Sequence, residues 1–472
     1  MKSDRLKLHR RTFLRQCLHG ALGGVGAYVG AHSALGSLGL LNAAMAAGSG
    51  TIFPDYKALV CVFLHGGNDS FNTIVPRDAA HYGIYAASRG ALAVPQNQLI
   101  AIDPLASGLP GDGALYGLHP QMTDLAGLFA AGRAAIVANV GTLVRPITQQ
   151  QYLQGSVPVP PQLFSHEDQA NIWQTSRPDD GNASGWGGRI ADLMHSGNPN
   201  QTQSMLVSLE GQALFQRGDV VNQYVIGSYG VEEIGYLNEW GNDAGVTAFN
   251  ALLQDGTQSH VFERSYARAM NSSIANYEAI GAALAAAGNV TTAFPDSRLG
   301  RQLHMVARLI KARTALNMRR QIFFVSLGGF DTHGSQAAVH PGLLADLSQS
   351  LKAFYDATVE LTLADRVTTF TASDFGRTVS INGDGTDHGW GGHHVVVGGA
   401  VRGQRFFGRM PSLAQNGNPD DAGYGQLIPT QSVDQYAATL ARWFGLGETG
   451  IDDILPNLAN FTSRDLGFMT AT

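Results

Sequence analysis

Apolar residues in this chain gather in short continuous blocks instead of alternating with polar ones. Six blocks stand out, at 58–64, 134–140, 205–209, 321–327, 367–372 and 394–398, rich in β-branched and aromatic side chains. A strand with one solvated face alternates, so unbroken blocks of this length predict strands buried on both faces. Between them the period changes. Leu343, Leu347, Leu351, Phe354, Thr358 and Leu361, and again Leu299, Leu303, Val306, Leu309 and Ile310, recur mainly every three or four residues, as on a helix with one apolar stripe. Strands interleaved with helices predict an α/β fold, a mostly parallel central sheet sandwiched by helices. Residues from about 230 to 298 carry Ala-rich helical patterning and little strand signal, which predicts an inserted helical layer. No Pro-rich or charged linker and no internal repeat divides the remainder, so 47–472 is expected to be a single domain.

The first 46 residues follow a different logic. His9-Arg10-Arg11-Thr12-Phe13-Leu14-Arg15 precedes a weakly apolar stretch that ends in Ala44-Met45-Ala46, the pattern of a twin-arginine signal cleaved before Ala47. An uncleaved membrane anchor is the other reading, but seven glycines between Gly20 and Gly39 weaken a spanning helix. The expected destination is the periplasm or the exterior, with no stable membrane anchor after cleavage. Twin-arginine export carries proteins already folded, which fits a chain that needs a metal to fold.

Composition narrows the field further. With 472 residues, 44% of them apolar and 14% charged, the chain is globular. Its net charge of −6 becomes −11 once the signal is removed, because 25 basic and 36 acidic side chains remain; such a surface excludes nucleic acid as a partner. Cys17 leaves with the signal and Cys61 stays alone inside ALVCVFL, so neither an intrachain disulfide nor a multi-thiolate metal site is available. A buried small hydrophobe is the reading for Cys61.

The candidate chemistry lies where strands end. ALVCVFL runs into HGGNDSFN, QIFFVSL into GGFDTHGS, and VTTFTA into SDFGRT. In a parallel sheet the carboxyl ends share one edge, where α/β folds place their ligands, so Asp69, Asp331, His333 and Asp374 can converge from distant positions. Asp331 and His333 are two apart and project to one side of an extended segment; oxygen plus imidazole suits zinc, manganese or iron better than calcium. His388, in GTDHGWGGHH, sits on a Gly-rich loop that enters the strand VVVGG, while His393 and His394 begin that strand and point to opposite faces, either as packed histidines or with one joining His388. Arg377 either clamps an anionic substrate through its planar fork or pairs with a structural carboxylate. Ser165 and His166, in LFSHEDQ, stand before a helix whose amino-terminal amides favour an anion, or Ser165 is simply its cap.

Taken together, the twin-arginine signal, GGNDSFN followed by Val75-Pro76, SHEDQ, GGFDTHG, SDFGRT and GTDHGWGG resemble the secreted bacterial domain-of-unknown-function 1501 family over essentially the whole mature chain. That family is similar to the superfamily of alkaline phosphatase, arylsulfatase and cofactor-independent phosphoglycerate mutase. The resemblance implies an alkaline-phosphatase-like sheet, with Asp69 as the first-strand metal aspartate and Ser165 as nucleophile. It further implies that Asp331 and His333 belong to the other metal site, that Asp374 begins the Asp-His or Asp-Asn pair, and that His388 is the last histidine ligand. Two departures matter. Only Thr332 separates Asp331 from His333, where the superfamily has a spacing of three, and Phe375 occupies the second place of the Asp374 pair, where it cannot ligate a metal. His166 is the candidate replacement.

These readings lead to an exported metal-dependent hydrolase or transferase of a phosphate or sulfate ester, small or polymeric. One or two divalent ions, zinc or manganese before calcium, would serve Ser165 and Arg377 as catalytic groups. The alternative is a non-catalytic relative that binds an extracellular polymer or partner protein through a residual metal or anion pocket.

Overall fold

In the computed structural model, residues 52–181, 183–231, 243–254 and 260–470 are described; the predicted signal, 1–46, lies outside them. The strands are β1 Lys57–Leu64, β2 Ala134–Gly141, β3 Leu206–Ser208, β4 Tyr224–Val225, β5 Arg320–Leu327, β6 Val367–Ser373, β7 Arg377–Ile381, β8 Thr386–His388, β9 Gly392–Gly398, β10 Phe406–Phe407 and β11 Gln431–Ser432. The helices that matter below are α1 Ala79–Arg89, α2 Thr123–Ala130, α3 His166–Thr175, α4 Trp186–Met194, α5 Asp243–Leu253, α6 Val261–Ala287, α7 Arg298–Lys311, α8 Gln336–Glu360 and α9 Val433–Phe444.

One nine-stranded sheet organises them, in the order β10-β2-β9-β6-β1-β5-β3-β4, with β11 also pairing β2. Every pairing is parallel except those of β9, which runs against both β2 and β6. The mixed, mostly parallel sheet with helices read from the sequence is therefore present. Every residue of β1, β2 and β5 is buried, as continuous apolar blocks require when both faces are covered. β7 and β8 form a separate antiparallel hairpin, and 74–76, 100–102 and 116–118 a small sheet, neither of which is legible in the periodicity.

Helices α2, α7 and α8 pack together on one face, and α3, α4 and α9 lie against the sheet as the other layer. In α7 the stripe Leu299, Leu303, Val306 and Ile310 is buried, and Ser297 caps its start by accepting from the Gly300 amide. Helix α8 starts at Gln336, earlier than its apolar stripe, and carries Pro341 within its second turn. Pro341 cannot donate to the carbonyl four residues back, so that turn is held by tertiary contacts of Gln336 and His340, both buried. Over the Ala-rich stretch the described residues form α5 and α6, and α6 packs on α7. Among the described residues no helix is long and apolar enough to cross a membrane.

His393 and His394 show how the two faces are separated. The His393 ring meets Phe71 edge-on at 5.3 Å, and its Nδ1 accepts from the Asn139 amide at 3.0 Å; His394 packs between Trp173 and Tyr436, at 5.3 and 5.9 Å. Both are fully buried core histidines. Burial, with the neighbouring imidazole adding to it for His393, drives both down to about 3, against roughly 6.5 for an exposed imidazole. Between those values the unfolded chain binds the protons and the folded one does not, so stability is full above about 6.5 and lost as pH falls towards 3. Each histidine should contribute a slope of about 1.4 kcal/mol per pH unit. Urea midpoints from pH 7.5 to 4.5 should fall less steeply in His394→Gln than in the parent; parallel profiles would show that His394 is not held neutral.

Candidate functional site

Strand register brings the polar turns to one edge. Leu64 lies level with both Leu327 and Ser373, so His65-Gly66, Phe330-Asp331 and Asp374 leave the sheet side by side. Because β9 is antiparallel, its first residue, Gly392, stands opposite Val140 near the carboxyl end of β2, which puts the preceding loop and His388 on the same edge. The turns are in tight contact. Gly66 has φ +110, and a Cβ there would fall 2.3 Å from the Asp331 nitrogen, so only glycine lets the first turn lie against the second. At Gly385 a Cβ would meet the His333 carbonyl carbon at 2.3 Å, which explains one glycine of the β7–β8 hairpin in the same terms.

Three imidazoles converge on one carboxylate oxygen. Asp331 Oδ1 lies 3.3 Å from His166 Nε2, 3.0 Å from His333 Nε2 and 3.3 Å from His388 Nε2. His333 Nε2 and His388 Nε2 are themselves 2.8 Å apart. His166, Asp331 and His388 each offer one donor atom within 4.8 Å of the others.

The far nitrogen of each ring is held by an acceptor. His166 Nδ1 donates to Asp374 Oδ2 at 2.7 Å, His388 Nδ1 to the Phe164 carbonyl at 2.6 Å, and His333 Nδ1 to Asp387 Oδ1 at 3.0 Å. A carboxylate or carbonyl only accepts, so each Nδ1 carries a proton; each Nε2, which faces the Asp331 carboxylate as well, then either donates to it from an imidazolium or turns a lone pair to a cation at the centre. Two lone pairs at 2.8 Å repel unless a cation or proton lies between them.

Charge around the cluster is arranged accordingly. The hydrogen bond to Asp374 raises the His166 pKa against the opposing effect of burial, whereas burial lowers His388. Burial alone would raise the Asp331 carboxyl, but the Arg377 guanidinium and the imidazoles outweigh it and hold that carboxyl below its usual range. Phe375 packs its ring 4.7 Å from both His166 and His388. Instead of leaving a gap in a ligand set, it forms the apolar wall that keeps the two rings in place.

Four sequence expectations change. Asp69 is fully buried and stands apart from the cluster as the cap of the short turn Ser70–Thr73. Its Oδ1 accepts from the Phe71 and Asn72 amides and from Arg89 Nη2 at 2.5 Å, and its Oδ2 from Gln336 Nε2, so it is engaged with Arg89 and Gln336 in the core instead of with the imidazoles. Arg377 is likewise fully buried. It donates to Gly66 O at 3.1 Å, to Asp331 Oδ1 at 2.8 Å and to both the hydroxyl and the carbonyl of Thr386, so its fork is spent inside the protein and cannot clamp a substrate. Asp374 reaches the centre through His166, holding that ring by Oδ2, which also accepts from Gly66 N at 3.0 Å. Ser165 precedes α3 without capping it, and its hydroxyl donates to Asp168 Oδ2 at 2.6 Å.

Asp387, Phe164, Thr386 and Gln336 carry roles that pattern reading missed. Asp387 is adjacent to His388 in GTDHG, a signal that could have been used; a carbonyl such as that of Phe164 leaves no mark in sequence. Gln336 links the whole support, donating to Asp69 and accepting from Thr332 and Thr386 at 3.1 and 2.7 Å.

Residues 56–433 match the family described as protein of unknown function (DUF1501), and the chain belongs to that family. Among solved structures it is similar to Ps i-CgsB in complex with k-i-k-neocarrahexaose, at 10% identity and TM-score 0.32, covering 86% of this chain and 77% of that one. It is also similar to the PsFucS1 sulfatase from Pseudoalteromonas sp., at 9% identity and TM-score 0.31, covering 93% and 77%. No curated protein matches the sequence.

The structural role of Asp69 has a measurable consequence. Asp69 and Arg89 are both fully buried, so Asp69→Ala leaves an uncompensated guanidinium in the core and should cost about 3–5 kcal/mol in urea unfolding. A loss below about 1 kcal/mol would mean that Arg89 finds another partner.

Proposed function

We propose that this protein is an exported metal-dependent hydrolase or transferase of phosphate or sulfate esters, on an alkaline-phosphatase-like sheet, with one divalent ion held by His166, Asp331 and His388 and approached by His333. One observation carries the reading: three imidazoles with occupied Nδ1 atoms direct their Nε2 atoms at a single carboxylate oxygen, at 3.0 to 3.3 Å. Donor atoms around a tetrahedral zinc, each at about 2.0–2.1 Å, are spaced about 3.3 Å apart, close to the 3.0 to 3.3 Å that separate Asp331 Oδ1 from the three Nε2 atoms. His166 Nε2 is also buried without a hydrogen-bond partner, as a ligand atom would be. Imidazole-rich ligation with one carboxylate favours zinc or manganese over calcium.

When bound, such an ion supplies a Lewis acid that polarises an ester oxygen. The chain's own groups do the rest. Asp374, the Phe164 carbonyl and Asp387 fix the ring orientations and tautomers, a support whose loss typically weakens metal affinity 10–100-fold. Phe375 excludes water from two of the rings. Ser165 is the assigned nucleophile: it directly precedes His166, and its hydrogen already faces Asp168. As Ser165 Oγ bonds to phosphorus or sulfur, its proton passes to Asp168 and the ester's leaving oxygen departs.

A second reading, metal-assisted binding of a polymer or partner protein without turnover, is favoured by the internal consumption of Arg377, which leaves no guanidinium fork at the centre for an anion.

Elemental analysis of the purified mature chain should find about one zinc or manganese per molecule. His166→Ala and His388→Ala should abolish it, and Asp374→Asn should weaken it 10–100-fold. Ser165→Ala should keep the metal yet lose hydrolysis of p-nitrophenyl phosphate or sulfate. Absence of metal would sink the first reading, and metal without hydrolysis of any phosphate or sulfate ester would decide for the second.

A further inference from the structure

The opposite edge of the sheet holds a second feature. β1, β5 and β6 begin level with one another, Lys57 beside Arg320 and Ala58 beside Val367, so Tyr56, Arg319 and Arg366 enter the sheet together. Eight residues of strand separate this edge from the imidazole cluster, roughly 25 Å at about 3.3 Å per residue. A cleft of about 360 Å³ opens here between the ends of α7 and α8, and its walls include Asp55, Tyr56, Arg313, Asn317, Arg319 and Arg366.

Three arginines, Arg313, Arg319 and Arg366, and one carboxylate, Asp55, line that cleft. Asp55 is already engaged twice, by Arg320 Nη2 at 2.9 Å and by Arg366 Nη1 at 2.5 Å. Arg313, which lines the cleft, stacks over the Tyr56 ring at 5.5 Å and donates from Nη1 to the Ile310 carbonyl. Arg319 is exposed, and among the described residues no carboxylate pairs with it or with Arg313. The walls therefore carry a surplus of guanidinium charge on a chain whose net charge is −6.

The backbone adds a second observation. Asn317 and Thr362 both line the cleft in left-handed conformation, at φ 53 and φ 56, where each ends a helical turn. A β-branched residue seldom holds that conformation, and glycine would be the unstrained choice for Thr362. Both positions instead keep a polar side chain, the Thr362 hydroxyl donating to the Leu361 carbonyl at 2.7 Å and Asn317 standing at the cleft wall.

We infer that this cleft is a second binding site, for a small molecule bearing a tetrahedral oxyanion, a phosphate or a sulfate. Guanidinium forks match such oxygens bidentately, and the Tyr56 ring holds the Arg313 plane in place for that contact. The cleft is larger than one bare oxyanion needs, so the group it takes is carried on a body the size of a sugar or similar small scaffold. This site is independent of the chemistry proposed at the other edge.

Isothermal titration of the mature chain with inorganic phosphate and, separately, inorganic sulfate at low ionic strength tests the inference. At least one of them should show a saturable binding event, separate from any heat of the far-edge centre, that Arg319→Glu and Arg313→Gln weaken at least tenfold. His388→Ala, at the far edge, should leave that binding unchanged. Near-UV circular dichroism checks that the Arg313 variant is folded; Arg319 is exposed and its variant tests the site without that risk. Absence of saturable binding to either anion, binding that survives Arg319→Glu, or binding lost in His388→Ala would overturn the inference.

Discussion

Asp331 Oδ1 is the atom on which the rest of the centre depends. On its inner side it accepts from the buried Arg377 guanidinium at 2.8 Å, and on its outer side three imidazole nitrogens approach it. Removing the carboxylate would leave a guanidinium in the interior with only neutral acceptors, and would take from three imidazoles the negative charge on which they converge. Arg377 thus acts as the foundation of the site, holding Asp331 ionised and in place, and it also ties β7 to the first turn through Gly66 and to β8 through Thr386.

That foundation is continuous with the core. From Arg377 the hydrogen bonds run through Thr386 to Gln336, from Gln336 to Asp69, and from Asp69 to Arg89, which donates to the Thr378 carbonyl at 3.1 Å. Every member of this chain is buried. In a low-dielectric interior an unpaired polar group is costly, so the network tolerates few alternative arrangements and keeps the cluster's support rigid. Asp69 belongs to this support. The same charge that would suit a metal ligand is spent neutralising Arg89 one layer beneath the cluster.

The antiparallel strand β9 is the topological device that completes the centre. In an all-parallel sheet the residues before a strand lie on the far edge, away from the carboxyl ends. Reversal of β9 turns its preceding loop back to the near edge, where His388 meets residues from β5, β6 and the start of α3. The two edges of the sheet then differ in kind, one lined by imidazoles and carboxylates and the other by arginines.

Much of this was legible in the chain. The continuous apolar blocks at 58–64, 321–327 and 367–372 determine doubly buried strands, because no other local structure covers both faces of so short a run. The glycine-containing turns after them determine that Asp331 and Asp374 stand at strand ends. Strand direction was not legible, since periodicity does not reveal whether a neighbour runs parallel or antiparallel, and it decides which edge His388 occupies. Partner choice was equally hidden. Whether Asp69 and Arg377 serve a ligand or the core depends on which opposite charges share their low-dielectric surroundings, and Arg89 and Asp331 lie 20 and 46 residues away. Sequence determined the residue types available for chemistry; only tertiary packing decided which of them remain free to perform it, because burial compels a charge to find its partner first.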